Sequence, residues 1–122
     1  MTNKLVPKLR PIKRQDIIDM YGSPLPQSVI GITAELDGRV LGVAGVAFAK
    51  PLQAFSFLSE ELKKYPRVIV KAVSRLKELF DSFDLPIYAT PDTDEVATAD
   101  GFLKHVGFEE IEEGVYQWQH SL

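Results

Sequence analysis

The chain has 122 residues, of which 45% are hydrophobic and 25% charged, and this length and balance predict one globular domain with a single core. Its net charge of −3 argues against a general nucleic-acid-binding protein, because such proteins carry a basic face for phosphates. The absence of cysteine excludes a disulfide framework, a thiolate nucleophile and a cysteine metal site. Because the chain has only two histidines, no other metal site is expected. No membrane span is expected either, because the sequence has no run of about 18 apolar residues.

The first predicted elements are a short strand over residues 5–12 and a short helix over residues 13–21. Pro7 and Pro11 suit an edge strand, because proline cannot donate a hydrogen bond to a neighbouring strand. Gly22 provides a stop for the helix. The first ten residues are basic but lack the apolar segment of a signal peptide, so a cytoplasmic location is expected.

The clearest local signal is a β-hairpin with arms at residues 29–36 and 39–49. Asp37 and Gly38 join the two arms, and this dipeptide is typical of a two-residue hairpin turn. The second arm is apolar throughout, which predicts a central strand covered on both faces. Gly42 and Gly45 weaken such a strand unless the backbone needs a bend or a close approach at those positions.

The second half of the chain alternates strands and helices. A strand is predicted at residues 54–58, an amphipathic helix at 66–83, a strand at 87–89, a helix at 95–106 and strands at 108–111 and 115–120. Pro66 suits the first turn of the long helix, where a missing N–H costs nothing. The helix carries one apolar stripe at three- and four-residue spacing, formed by Ile69, Val73, Leu76, Phe80 and Phe83.

Three segments carry a resemblance to a known family. They are Leu9-Arg10-Pro11 with Asp16, the hairpin segment 34–42, and Ala99 with residues 102–108, which is similar to a closing A-x-x-F-Y-x-x-x-G-F motif. Together with the order of elements, these segments resemble the GNAT N-acetyltransferase superfamily over nearly the whole chain. The resemblance implies an α/β (α+β) fold with a mixed, mostly antiparallel sheet flanked by helices.

The resemblance also implies a binding site for acetyl-CoA or coenzyme A between the strands at 54–58 and 87–89. In that family a Q/R-x-x-G-x-G/A loop closes backbone N–H groups on the pyrophosphate at a helix N-terminus. The matching segment 59–72 has no glycine, and the best register places Arg67 first, Val70 at the glycine position and Ala72 last. Lys63, Lys64 and Arg67 could still hold the pyrophosphate, although Pro66 removes a donor and Glu60 and Glu61 oppose an anion. The cofactor-binding residues that the resemblance implies are Phe57, Leu58, Ser59, Lys64, Arg67 and Val68.

Three residues are candidate general acids or bases, and each has a plainer interpretation. Glu35 and Glu60 could take a proton from an amine, or be ordinary surface carboxylates. His105 could act as acid or base, or be a cation favoured by a helix C-terminus. The tyrosine with which many family members protonate the leaving thiolate is replaced by Leu103.

Two functions therefore stay open at the level of sequence. The first is acetyl-CoA-dependent N-acetylation of an amine, with an acceptor cleft left shallow by the loop at residues 23–26 or completed by a protein partner or a second copy. The second is a GNAT-fold module without catalysis, because short, glycine-poor chains of this kind resemble GNAT-like proteins of bacteriophages, which act as accessory or virion proteins.

Overall fold

The computed structural model describes residues 6–24, 27–90, 104 and 106–118. In these residues the strands are β1 Lys8–Pro11, β2 Val29–Leu36, β3 Arg39–Ala47, β4 Leu52–Leu58, β5 Ile87–Ala89, β6 Phe108–Glu112 and β7 Val115–Trp118. The helices are α1 Arg14–Tyr21 and α2 Pro66–Asp81, with a short 3₁₀ helix at Leu62–Lys64. Neither α-helix has the length and apolar character needed to cross a bilayer.

The strands form one mixed sheet in the order β1-β2-β3-β4-β5-β7-β6. All neighbouring strands are antiparallel except β4 and β5, which run parallel. The expected mixed, mostly antiparallel architecture is confirmed. β3 lies inside the sheet between β2 and β4, as its uninterrupted apolar sequence predicted.

The ends of several elements differ from the sequence prediction. β1 begins at Lys8, β3 ends at Ala47, and β4 begins at Leu52 because its first two residues pair with β5. α2 ends at Asp81, two residues early, where the amides of Ser82 and Phe83 donate to carbonyls three residues back. The helix predicted at 95–106 lies mostly outside the described residues, although Lys104 and Val106 are helical.

The two helices lie on opposite faces of the sheet. Ile32 and Ala34 of β2 pack toward α2, whereas the intervening Thr33 donates a hydrogen bond to Asp16 of α1. The predicted apolar stripe of α2 is confirmed, because Val73, Leu76 and Phe80 are buried against the sheet and Ile69 and Phe83 pack at its margin.

The hairpin of β2 and β3 brings two glycines into direct opposition. Gly31 pairs with Gly45, and a Cβ atom built on Gly45 would meet the Ile30 carbonyl and lie 2.7 Å from the Cα of Gly31. No side chain fits between the two backbones at this point. Gly45 in the central strand β3 was expected to mark a bend or a close approach of backbone. The structure shows a close approach, and the approaching backbone is that of β2 at Gly31.

Candidate functional site

The parallel strands β4 and β5 part soon after they begin. Only two residue pairs join them, Leu52 with Ile87 and Gln53 with Tyr88, although β4 continues to Leu58. On the side of β5, no strand of the described chain pairs with residues 54–58. Within the described residues, the sheet thus has a gap along the second half of β4, which we call the open edge of β4.

The hydrogen-bonding pattern shows which backbone groups face this gap. The amide of Ser59 donates to the carbonyl of Leu41 at 2.9 Å, and the β3–β4 register continues from there without a bulge. Because antiparallel strands alternate hydrogen-bonded and non-hydrogen-bonded pairs, Phe57 and Phe55 bond to β3. The amides and carbonyls of Ala54, Ser56 and Leu58 therefore point toward the open edge.

The start of α2 offers few free backbone donors. Pro66 has no N–H, and the amides of Val68 and Ile69 both donate to the carbonyl of Tyr65, at 3.0 and 3.2 Å. Among the described residues, this leaves the amide of Arg67 as the first-turn donor without an acceptor. The glycine-free segment therefore forms a 3₁₀ turn followed by a proline-capped helix, and it cannot surround an anion with backbone N–H groups.

The acidic residues before α2 are each held by a cation. Glu60 is 89% exposed and accepts from Lys63 at 2.9 Å, while Glu61 forms a bidentate pair with Arg39 at 3.0 and 3.1 Å. Glu60 therefore lies at the surface beside Lys63, and its role as a base stays a prediction. Lys64 and Arg67 are exposed and have no ion-pair partner in the described part of the chain.

A cavity of about 30 Å³ lies between α2 and the sheet, beside the open edge. Of the residues expected to bind a cofactor, Phe57, Leu58 and Val68 line it, and Val68 is buried in the cluster around Leu41 and Leu62. Ser59 has a structural role outside the lining, since its hydroxyl accepts from the amide of Leu62 at 3.2 Å. Lys64 and Arg67 remain at the surface near the start of α2.

Solved structures of acetyltransferases share this arrangement of strands. One is an acetyltransferase of the GNAT family from Staphylococcus aureus Mu50, which superposes with a TM-score of 0.59 at 16% identity over 88% of this chain and 79% of that one. Another is YhhK from E. coli, described as a candidate N-acetyl transferase and solved bound to coenzyme A, with a TM-score of 0.58 at 11% identity over 95% of this chain and 98% of that one. The chain has the GNAT fold. No family model and no curated protein matches it.

Within this GNAT fold, Glu35 belongs to a polar network on the α1 face. It accepts a hydrogen bond from Nε of Arg10 at 2.9 Å, and the two terminal nitrogens of Arg10 hold the Asp16 carboxylate at 2.7 and 2.8 Å. Glu35 lies on β2, and β3 stands between β2 and β4. The backbones of β2 and β4 are therefore two strand spacings apart, or about 10 Å. The structure thus gives Glu35 an ion-pair role and leaves its role as a base untested.

Burial raises the pKa of Asp16, but hydrogen bonds from Arg10, the Lys13 amide and Thr33 outweigh it and lower this pKa to about 2. The Asp16 carboxylate in turn raises the pKa of Arg10. Asp16 is 3% exposed and its carboxylate accepts four hydrogen bonds, so this residue fixes the start of α1 against β1 and β2.

An aromatic pair beside the open edge escaped the sequence interpretation. The rings of Tyr21 at the end of α1 and Phe57 on β4 meet edge to face at 5.7 Å, and both are about 40% exposed. Burial raises the pKa of Tyr21 above the ordinary value of a tyrosine phenol. No local sequence pattern predicts this contact, because Tyr21 and Phe57 are far apart in sequence and meet only when α1 packs over the sheet near β4. His105 and Leu103 lie outside the described residues.

Proposed function

We propose that this protein is an N-acetyltransferase that binds acetyl-CoA along the open edge of β4 and acetylates an amine. The observation that carries the proposal is the parting of β4 and β5 after two residue pairs, after which no strand in the described part of the chain pairs with the outward backbone groups of Ala54, Ser56 and Leu58. A structural neighbour with the same fold and coenzyme A bound supports it.

The described residues fit this cofactor in three respects. The amides and carbonyls of the open edge can hydrogen-bond the two amide groups of the pantetheine arm, as an added strand would. The apolar cavity beside them can exclude water from the thioester. The side chains of Lys64 and Arg67 offer unpaired positive charge for the phosphates, in place of the backbone donors that α2 lacks.

When bound, acetyl-CoA supplies the acyl group as a thioester. N-acylation forms a bond between the amine nitrogen and the acyl carbon and breaks the carbon–sulfur bond, with one proton leaving the nitrogen and one reaching the sulfur. An amide of the open edge would donate to the carbonyl oxygen as its charge develops. Because Leu103 stands at the position of the family's tyrosine, water or another side chain must protonate the sulfur, and we expect slow turnover.

A module without catalysis is the second candidate, and the start of α2 favours it. The amides of Val68 and Ile69 are used within the chain, and Val70, at the position of the family's glycine, is 64% exposed. In this case the open edge would bind a segment of a partner protein. The resemblance to bacteriophage accessory and virion proteins belongs to this proposal, as does a location in host cytoplasm or virion.

Thermal unfolding in the presence of coenzyme A and acetyl-CoA separates the two functions. A ligand at 100 times its Kd stabilises the native state by about 2.7 kcal/mol, which raises Tm by roughly 10 °C for a domain of this size. Adenosine 3′,5′-bisphosphate is the control, since it lacks the pantetheine arm that the open edge would bind. Mass spectrometry of an amine panel incubated with acetyl-CoA then tests transfer. No shift and no acetylated amine would leave the non-catalytic module standing.

A further inference from the structure

The cavity beside the open edge reflects incomplete packing between α2 and the sheet. Ile32 and Ala44 lie on the inner strands β2 and β3 and face α2, yet both are partly exposed. Opposite them on α2, Ile69 and Ala72 are partly exposed as well. Protein interiors are normally close-packed, so apolar residues that face one another without being buried mark a gap that solvent-sized groups can enter.

The position of the cavity connects it to the proposed cofactor site. Ser56, which is exposed and whose backbone faces the open edge, forms part of its lining. From there the cavity passes beneath α2 and beyond β3 to Ile32 and Ala34 on β2. Two strand spacings amount to about 10 Å, so the cavity runs from the open edge into the protein.

The lining selects an apolar occupant. Apart from Ser56, the residues around the cavity are aliphatic, glycine or aromatic, and Gly42, Ala44 and Ala72 keep it open by being small. Walls of this kind offer water few hydrogen-bond partners and so favour apolar groups over water. Its 30 Å³ corresponds to about two water-sized spheres, which is room for about two methylene groups.

We propose that this cavity receives the acyl chain of the donor, so that the protein uses a short apolar acyl-CoA of about four carbons in preference to acetyl-CoA. The inference rests on the proposed function, because the thioester must lie at the open edge for its chain to reach the cavity. Each buried methylene strengthens binding about fourfold. Butyryl-CoA has two more methylenes than acetyl-CoA and should therefore bind about 15-fold more tightly, and hexanoyl-CoA should gain nothing further.

Isothermal titration of coenzyme A, acetyl-CoA, butyryl-CoA and hexanoyl-CoA tests this selectivity without relying on turnover. Ala72→Leu fills the cavity from α2 and should remove the preference for butyryl-CoA while leaving the Kd of coenzyme A within about twofold. Ser74→Leu is the matched control, since it adds the same side chain at an exposed position on the same helix. Ala44→Val, from the side of the sheet, replaces Ala72→Leu if circular dichroism shows that the latter does not fold.

The outcomes distinguish the two proposals. Failure of all four compounds to bind overturns the proposed function and this inference with it. Equal affinities for acetyl-CoA and butyryl-CoA overturn the acyl pocket alone, as does a preference for butyryl-CoA that survives both cavity-filling variants. Continued tightening with hexanoyl-CoA would also contradict a pocket of this size.

Discussion

At the level of single residues, Asp16 shows how burial and hydrogen bonding combine. Its carboxylate is nearly inaccessible, and it is kept ionised by Arg10, Thr33 and the Lys13 amide. A buried carboxylate that loses its partners destabilises the folded protein, and a buried cation that loses its carboxylate does the same. The ion pair is therefore a point at which pH and mutation should both affect folding.

The stability of the protein should fall in acid because of Asp16. Its pKa is about 2 in the folded state and 3.8 in the unfolded chain, so the folded pKa is the lower one. The contribution, about 2 kcal/mol, is complete above pH 3.8 and is lost as pH falls toward 2. Urea unfolding from pH 6 to pH 2 measures it. Asp16→Asn should remove most of this dependence and cost about 1–3 kcal/mol at pH 7, since the terminal nitrogens of Arg10 lose their carboxylate and Arg10 keeps only its ion pair with Glu35. Asp19→Asn, an exposed change on the same helix, is the control.

Arg67 is the residue at which the phosphate proposal can be tested. Arg67→Ala should weaken coenzyme A binding about 3- to 10-fold and reduce its dependence on salt, because one charge-assisted contact is lost. Arg75→Ala removes the same side chain about 12 Å further along α2 and should leave binding unchanged. Titrations at 50 and 300 mM salt provide the measurement. Equal losses in both variants would assign the effect to net charge rather than to a site.

At the level of elements, the open half of β4 depends on a parallel partner that stops early. β3 supplies backbone partners to alternate residues of β4, and β5 supplies none beyond Gln53. In the part of the chain that the structure describes, β4 is thus hydrogen-bonded to β3 along one side, whereas its residues 54–58 have no strand partner on the other. Proline substitution distinguishes the two sides, because it removes a backbone donor at a chosen residue.

Ser56→Pro should weaken coenzyme A binding at least about tenfold while the protein remains folded, because the amide of Ser56 points toward the open edge. Phe57→Pro is the contrasting variant. The amide of Phe57 bonds to β3, so its loss should unfold the protein or lower its Tm far more. Binding by titration and folding by circular dichroism are compared in the two variants. Unfolding of both would show that Ser56 also bonds within the sheet.

Local signals predicted the elements well, and long-range contacts explain what they missed. The Asp37-Gly38 turn, the stripe on α2 and the stop before Pro86 are encoded within a few residues, so the hairpin and the long helix were predicted nearly to their ends. The early start of β4 depends on pairing with β5, which no nearby residue indicates. For the same reason the Arg10 and Thr33 partners of Asp16 were not predicted.

At the scale of the molecule, the sheet is narrowest on the two sides of β5, which pairs with β4 through two residues and with β7 through two. Two residue pairs join the first four strands to β5, β7 and β6, but the apolar core crosses this joint. Val46 and Leu52 from the first part share a cluster with Phe108 and Trp118 from the second, and α2 packs against it through Leu76 and Phe80. The two parts should consequently unfold together.

Trp118 allows this cooperativity to be measured, because it is the single tryptophan and lies in the second part of the sheet. Its fluorescence and the far-ultraviolet circular dichroism should give the same urea midpoint, as expected for two-state unfolding. Leu76 is 3% exposed and touches the shared core, so Leu76→Ala should lower the free energy of unfolding by about 2–5 kcal/mol in both signals alike. Val70→Ala, at an exposed position of the same helix, should change it by less than about 0.5 kcal/mol. A fluorescence midpoint below that of the circular dichroism in either protein would show instead that β5, β7 and β6 separate first, and that α2 does not hold the two parts together.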